Sequence, residues 1–341
     1  MIYIVVDYKG YHSSKINAVP YKSGMNLKEL KNLLEKKGAK VKFIDVSGLL
    51  RLNFSKSDLV VYTSSEEPGL QYREYVIDSV NILQLKQVKL FPNSSLILAN
   101  NNKSFMTMLI DHYFDGEEFH IPSKIVGSET ELMKVIREKP LSYPVVAKLP
   151  YGAMSKNVFL ANSSDELVKI YKKSVFKLSV GERIREIIRN YRYSGYTKND
   201  YFSGRLILQE FLSELVCDYK VLKFSNRFFL FRRNVRKNDF RASGSGQSAY
   251  LYGSACEIPD GIFSLTDHIA ASLKTNMLSL DFAHHNGQLK LIELQGIHFG
   301  TVGHFRSDVL YQKNDKGYVA EQNNLSIEAI YVDCILEQFK T

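Results

Sequence analysis

Residues 277–295 constrain this chain more tightly than any other stretch. Two apolar runs, Met277 to Ala283 and Gln288 to Leu294, flank His284-His285-Asn286-Gly287. Asn and Gly tolerate positive φ, so the pattern predicts a β-hairpin. Each strand carries one carboxylate where a core residue is expected, Asp281 on the first and Glu293 on the second. Gln295 lies two residues beyond Glu293 and shares its face. Register decides whether Asp281 joins them. A strict two-residue turn pairs Asp281 with Ile292, on the face opposite Glu293. A loop of three or five residues pairs it with Leu291 and gathers all three oxygen ligands on one face. The expectation is the odd-length loop, because that set suits Mg²⁺ (Mn²⁺ as the alternative), a hard cation that shares its oxygens with a nucleotide. The plainer alternative is two half-exposed acids on an antiparallel sheet.

At 341 residues there is room for two or three domains and for a sizeable core. No apolar run approaches the ~18 residues of a spanning helix, and MIYIVVDYKG reads as a first strand rather than a signal peptide. Cys217, Cys256 and Cys334 are far apart, match no metal spacing and fit a reducing, cytoplasmic setting. No membrane partner is expected. The net charge of +9 is concentrated: Lys169 to Arg205 holds ten basic residues, and Arg227, Arg232, Arg233, Arg236 and Lys237 form a second cluster. Such patches fit nucleic acid, polyphosphate or an acidic substrate. Without a zinc spacing, an RNP-like motif or a repeat, nucleic acid is the less favoured partner. Self-association is left open.

In chain order, residues 1–95 alternate strands (Ile2 to Val6, Val41 to Val46, Asp58 to Tyr62) with a helix from Met25 to Lys37 that Gly38 stops. Alternation of this kind implies a doubly wound parallel sheet whose ligands sit beyond the carboxyl ends of its strands. The loop Thr63 to Gly69 is such an end, an active-site wall or an ordinary polar loop. A segment from 96 to 205 follows. Its helix starts near Lys103, capped by Asn102, and a second runs from Glu129 to Glu138. The strand Tyr143 to Lys148, the loop Leu149 to Asn157 and the strand Val158 to Ala161 form a flap suited to covering phosphates, Lys148 giving charge and the loop N–H groups. Lys169 to Arg205 is either a mobile insertion or helical. From 206 to 341 come strands at Leu206 to Phe211, Asp218 to Phe224 and Arg227 to Arg233, a Gly/Ser loop containing Arg241, the hairpin, and helices at Ile262 to Thr275 and Ser326 to Phe339. The fold class is α/β, with an antiparallel α+β C-terminal part.

In this order the pieces resemble the ATP-grasp ligases from about Pro92 to Thr301, nearest the type that includes the ribosomal-protein glutamate ligase and glutathione synthetase. Asn102-Lys103 resembles the Asp/Asn-Lys step whose lysine contacts ATP. Lys148-Leu149-Pro150-Tyr151-Gly152-Ala153-Met154-Ser155-Lys156-Asn157-Val158 resembles the lid loop KLxxGTQGIGVV, with Ser155 and Asn157 replacing two glycines. Gln209-Glu210-Phe211-Leu212 resembles the adenine hinge. Asp218 stands for the acid of the family's DxR step, and Lys220 replaces its arginine. Asp239-Phe240-Arg241 resembles the DFR step, with Ser243 in place of a following asparagine. Asp281, Glu293 and Gln295 resemble the metal set, glutamine replacing asparagine.

The resemblance implies a three-part ATP-grasp organisation: a domain at 1–95, a lid at 96–205 and a C-terminal domain at 206–341, with Mg²⁺–ATP between lid and C-terminal domain. It implies ADP-forming ligation of a small-molecule or peptide carboxylate to an amine through an acyl-phosphate. Lys103 and Lys148 neutralise phosphates, Gly152, Ser155, Gln209 to Leu212, Asp218 and Ser243 hold the nucleotide, and Arg241 stabilises the transferring group. Lys220 and the loop with His298, Gly300 and Thr301 line the acceptor pocket. The rival readings are a catalytically silent ATP-binding regulator and a nucleic-acid-binding protein using the stretch 169–205.

Overall fold

The first strands of the chain are short runs of β-branched and aliphatic residues, and they lie side by side in parallel. In the computed structural model, which describes residues 1–13, 24–65, 69–138, 141–152, 157–235 and 250–340, β1 (Ile2–Val6), β2 (Val41–Asp45), β3 (Leu59–Val61) and β4 (Lys89–Phe91) form one sheet in the order β2-β1-β3-β4. Helices α1 (Leu27–Lys36), α2 (Val46–Leu49) and α3 (Gln71–Leu85) fall between them, since parallel neighbours need a crossover. The Asn26 side chain accepts from the Glu29 N–H at the start of α1, and Gly38 at φ +85° ends the turn beyond it.

The chain then divides into two compact units. One holds residues 1–100 and 215–341, the other 101–214. The middle unit contains α4 (Lys103–Phe114), β5 (Ser123–Ser128), α5 (Glu129–Glu138), β6 (Val145–Lys148), β7 (Val158–Ala161), α6 (Ser164–Ser174), β8 (Phe176–Lys177), α7 (Val180–Arg192) and β9 (Phe202–Glu210). Its antiparallel sheet runs β5-β9-β6-β7, with β8 also on β9. Leu206 and Leu208 of β9 are buried with Val145, Leu132, Leu167 and Tyr171, so α5 and α6 close one face. Of the two readings of 169–205, the helical one holds for Val180–Arg192. Residues 205 and 206 lie together inside β9.

The remainder contributes β10 (Cys217–Phe224), β11 (Arg227–Asn234), β12 (Tyr250–Tyr252), α8 (Ile262–Ser272), β13 (Met277–His285), β14 (Gln288–Gln295), α9 (Val302–Arg306), β15 (Val309–Asn314), β16 (Gly317–Gln322) and α10 (Ile327–Lys340). The strands form an antiparallel sheet in the order β14-β13-β10-β11-β15-β16, with β12 on β11. The pair β15 and β16 extends it beyond what the sequence pattern indicated. Helix α10 joins this sheet to the parallel one: Ile330, Tyr331 and Ile335 share a buried core with Ile2, Ile4 and Leu59 on one side and Leu222, Phe224 and Phe229 on the other. Phe263 and Tyr311 add an aromatic contact, their ring centroids 4.8 Å apart.

Candidate active site

The connection between β13 and β14 is the two-residue turn Asn286-Gly287, with φ +52° and +77°, the left-handed pair that a tight hairpin requires. The expected odd-length loop is therefore incorrect. Yet Asp281 sits directly opposite Glu293, and Ser279 opposite Gln295. The parity is changed inside the strand: the register shifts between Asp281 and Phe282, so that Phe282 pairs with Leu291 and Ile292 is left as the extra residue of a β-bulge. Asp281, Glu293 and Gln295 thus share one face by a route that turn length alone could not reveal.

That face is strongly charged and largely dry. Lys220 pairs with Asp281 across β10 and β13, and its Nζ donates to Asp281 Oδ1 at 2.6 Å. Arg233, opposite Asp218 on β11, donates from Nε and Nη2 to the two Asp218 oxygens at 2.5 and 2.9 Å, and from Nη2 to Asp281 Oδ2 at 2.8 Å. Burial opposes the charge on Asp281, but Arg233 and Lys220 outweigh it and hold the carboxyl down at about 2. Burial, with the Asp281 carboxylate nearby, pushes Asp218 the other way, to about 6, against the pull of Arg233. Both oxygens of Asp218, read from the sequence as a nucleotide contact, accept from Arg233 here. Counting back across the tight Ser225-Asn226 connection would have paired these two residues in advance; Arg233 stood in the sequence reading only as one of a basic cluster.

The backbone leaving β14 packs closely on the first sheet's side of the same unit. At Gly296 a side chain would collide with Leu96. Phe299 enters the shared core beside Phe224. His298 is buried, with its N–H donating to Asn100 Oδ1 at 3.3 Å and Nδ1 3.2 Å from Thr63 Oγ1. Thr63 follows β3, so the loop singled out as a strand-end wall meets the loop carrying His298. Thr301 is buried and Gly300 is half-buried.

The middle unit gathers a second set. Lys103 opens α4 behind the Asn102 cap, its N–H donates to Pro150 O at 2.8 Å, and its Nζ donates to Gly152 O at 2.7 Å. Gly152 is at φ +129°, and a Cβ there would lie 2.6 Å from Asn157 Nδ2, which itself donates to Tyr151 O. The positive φ favours glycine here, and an added Cβ would also have to displace the Asn157 amide. Lys148 ends β6, and its Nζ donates to Gln209 Oε1 at 2.5 Å, while Gln209 Nε2 donates to Ser123 Oγ. Glu210 closes β9 with its side chain exposed, and Phe211 and Leu212 follow it half-buried. The two lysines and the hinge sequence thus share one β6–β9 neighbourhood. Ser155, Arg241 and Ser243 lie outside the described residues.

The donors on the β13–β14 face fit a hard cation. All are oxygens, the ammonium of Lys220 already sits 2.6 Å from Asp281, and the buried Ser279 hydroxyl on the same face has no hydrogen-bond partner. Among the described residues no three His, Cys, Asp or Glu side chains gather as a metal cluster, so the protein would supply two carboxylates and one amide, with the rest of the shell from phosphate or water.

No family model matches the chain, and no curated protein matches it in sequence. Solved structures do match in three dimensions. A D-cycloserine synthetase superimposes with a TM-score of 0.56 at 12% identity, over 99% of this chain and 99% of that one. A RimK-domain ATP-grasp protein from Sphaerobacter thermophilus gives a TM-score of 0.51 at 10% identity, over 98% of this chain and 100% of that one. The likeness extends over the full length, and the fold is that of the ATP-grasp ligases.

Proposed function

We propose that the chain is an ADP-forming ligase that joins a carboxylate to an amine through an acyl-phosphate. The observation that supports this best is the bulged hairpin, which sets Asp281, Glu293 and Gln295 on one face of a chain with the ATP-grasp fold. An ordinary hairpin with the same turn would separate them. Asp281, Glu293 and Gln295 would hold Mg²⁺, which when bound neutralises the β- and γ-phosphate oxygens. Lys103 and Lys148 contribute charge to nucleotide phosphates, and the backbone of Glu210 to Leu212 is suited to the adenine edge. Lys220, which donates to Asp281 here, would be released to pair with the acid substrate or a phosphate if Asp281 held the cation. Asp218 acts on Arg233, holding the guanidinium in place rather than touching ATP. Arg241 stabilises charge as the phosphoryl group moves and as the tetrahedral adduct forms. The loop from His298 to Thr301, with Thr63, borders the acceptor amine, and exclusion of water protects the acyl-phosphate.

The test is ADP release measured against panels of carboxylates and amines, with hydroxylamine as the trap. ADP should form only when a suitable acid is present, and a hydroxamate of that acid should accumulate. Arg241→Ala should lower turnover by ~10²–10³ and weaken ATP binding far less, because it acts mainly on the transition state, and Glu293→Gln should be similarly slow. A second reading draws on a specific observation: both Asp281 oxygens are already engaged by Lys220 and Arg233. A protein locked in that state would be a silent nucleotide binder, binding ATP without forming ADP with any acid, and the same assay separates the two.

A further inference from the structure

Helix α7 is assembled the wrong way round for a helix of a self-contained protein. Its apolar residues Val180, Ile184, Ile187, Ile188 and Tyr191 recur at the spacing of one helical face. An amphipathic helix ordinarily buries such a stripe. Here every one of these side chains is between 52% and 94% exposed. The polar side is what holds the helix down. Glu186, only 3% exposed, accepts from Tyr196 Oη at 2.7 Å and from the Asn199 N–H at 2.8 Å, and it also takes a hydrogen bond from Arg189. Ser179 and Glu182 close the N-terminus as a capping box. Arg183 is drawn back over the Tyr201 and Phe202 rings. The helix is fixed in an orientation that presents its apolar face outward.

The border of that face is basic. Arg185 and Arg192 flank the stripe and are exposed, and the segment from Lys169 to Arg205 carries ten basic residues against three acids. We propose that α7 is a surface-docking helix for an anionic lipid bilayer. The stripe enters the boundary between headgroups and acyl chains, while Arg185, Arg192 and the neighbouring lysines reach lipid phosphates. The make-up of this surface chooses the occupant. The exposed apolar stripe beside exposed arginines matches a surface that is anionic outside and apolar beneath. Charge excludes a second copy of the chain: an isologous contact through the stripe would bring the arginine flanks together. The sequence reading expected no membrane partner, on the ground that nothing spans. Among the described residues no helix is long and apolar enough to cross a membrane, but lying on the surface requires no such helix.

The experiment is co-sedimentation of the full chain with phosphatidylcholine vesicles, with and without phosphatidylglycerol, at low and physiological salt. The expected result is binding to the anionic vesicles alone, weakening as salt rises. Ile184→Ser/Ile188→Ser and Arg185→Glu/Arg192→Glu should each reduce it by on the order of tenfold or more, with unchanged circular dichroism and melting because the altered side chains face solvent. No binding to anionic vesicles at low salt would overturn the proposal, as would binding that survives both double variants. A dimer that dissociates in Ile184→Ser/Ile188→Ser, without vesicle binding, would assign the stripe to a second copy instead.

Discussion

Replacing Asp281 by Asn removes one negative charge from a buried group of four. Asp218 and Asp281 face Arg233 and Lys220, and the two acids balance the two bases. Breaking a buried pair by deleting one partner costs about 3–5 kcal/mol, because an uncompensated charge stays in a medium that solvates it poorly. The structure places this case near the lower end. Arg233 keeps its bidentate bond to Asp218, and Lys220 is slightly exposed, so its ammonium can turn toward water. The loss should therefore be about 3 kcal/mol for Asp281→Asn, read as a lower urea midpoint at unchanged slope. Asp281→Asn/Lys220→Met should recover part of it, since the second change removes the stranded cation, and the shortfall from additivity measures the pair. Glu293→Gln, half-buried on the neighbouring strand, should cost distinctly less. A loss below about 1 kcal/mol for Asp281→Asn would refute the reasoning, because that is the magnitude of a solvent-screened surface pair.

The bulge register is testable by crosslinking. Ser279→Cys/Gln295→Cys should form a disulfide on mild oxidation, since the two positions are directly opposed, whereas Ser279→Cys/Leu294→Cys, the pair that an unbulged two-residue turn would align, should not; the reverse outcome, seen by mass spectrometry, would reject the bulge. His12 is buried, with Nδ1 2.7 Å from Val5 O and Nε2 3.1 Å from Tyr331 Oη, and burial lowers its pKa to about 4. The unfolded chain therefore binds the proton first as pH falls below 6.5, so this group's contribution is intact at neutral pH and is lost on acidification, by ~2 kcal/mol between pH 7 and 5. His12→Asn should flatten that part of the stability profile in urea titrations, and an unchanged slope would show that His12 does not titrate there. Gly152→Ala should cost ~1–3 kcal/mol from its positive φ alone and should weaken ATP binding by shifting the carbonyl that accepts from Lys103 Nζ; calorimetry showing normal affinity would separate this loop from the nucleotide.

The sequence by itself determined the elements whose cause is local. The capped start of α4, the helix over Glu129–Glu138, the strand ending at Lys148 and the Asn-Gly hairpin all follow from side chains within a few residues of one another, and there the structure agrees within a residue or two. It also determined the order of the lysines, the hinge sequence and the carboxylates, which is what the resemblance to the ATP-grasp ligases rested on. The amphipathic spacing of Val180, Ile184, Ile187, Ile188 and Tyr191 is present in the sequence, but the reading of 169–205 rested on its basic and polar residues and passed it over. Only the tertiary structure decided the rest. A bulge at Ile292 depends on what β13 and β14 pack against, so turn length could not foretell which face Asp281 occupies. The partner of Asp218 came from a neighbouring strand, and the partner of His298 from a loop more than two hundred residues away. Local propensity chooses a helix or a strand, because its interactions span one turn or one pair. Which side of that element meets the core is chosen by contacts that exist only once distant strands have come together.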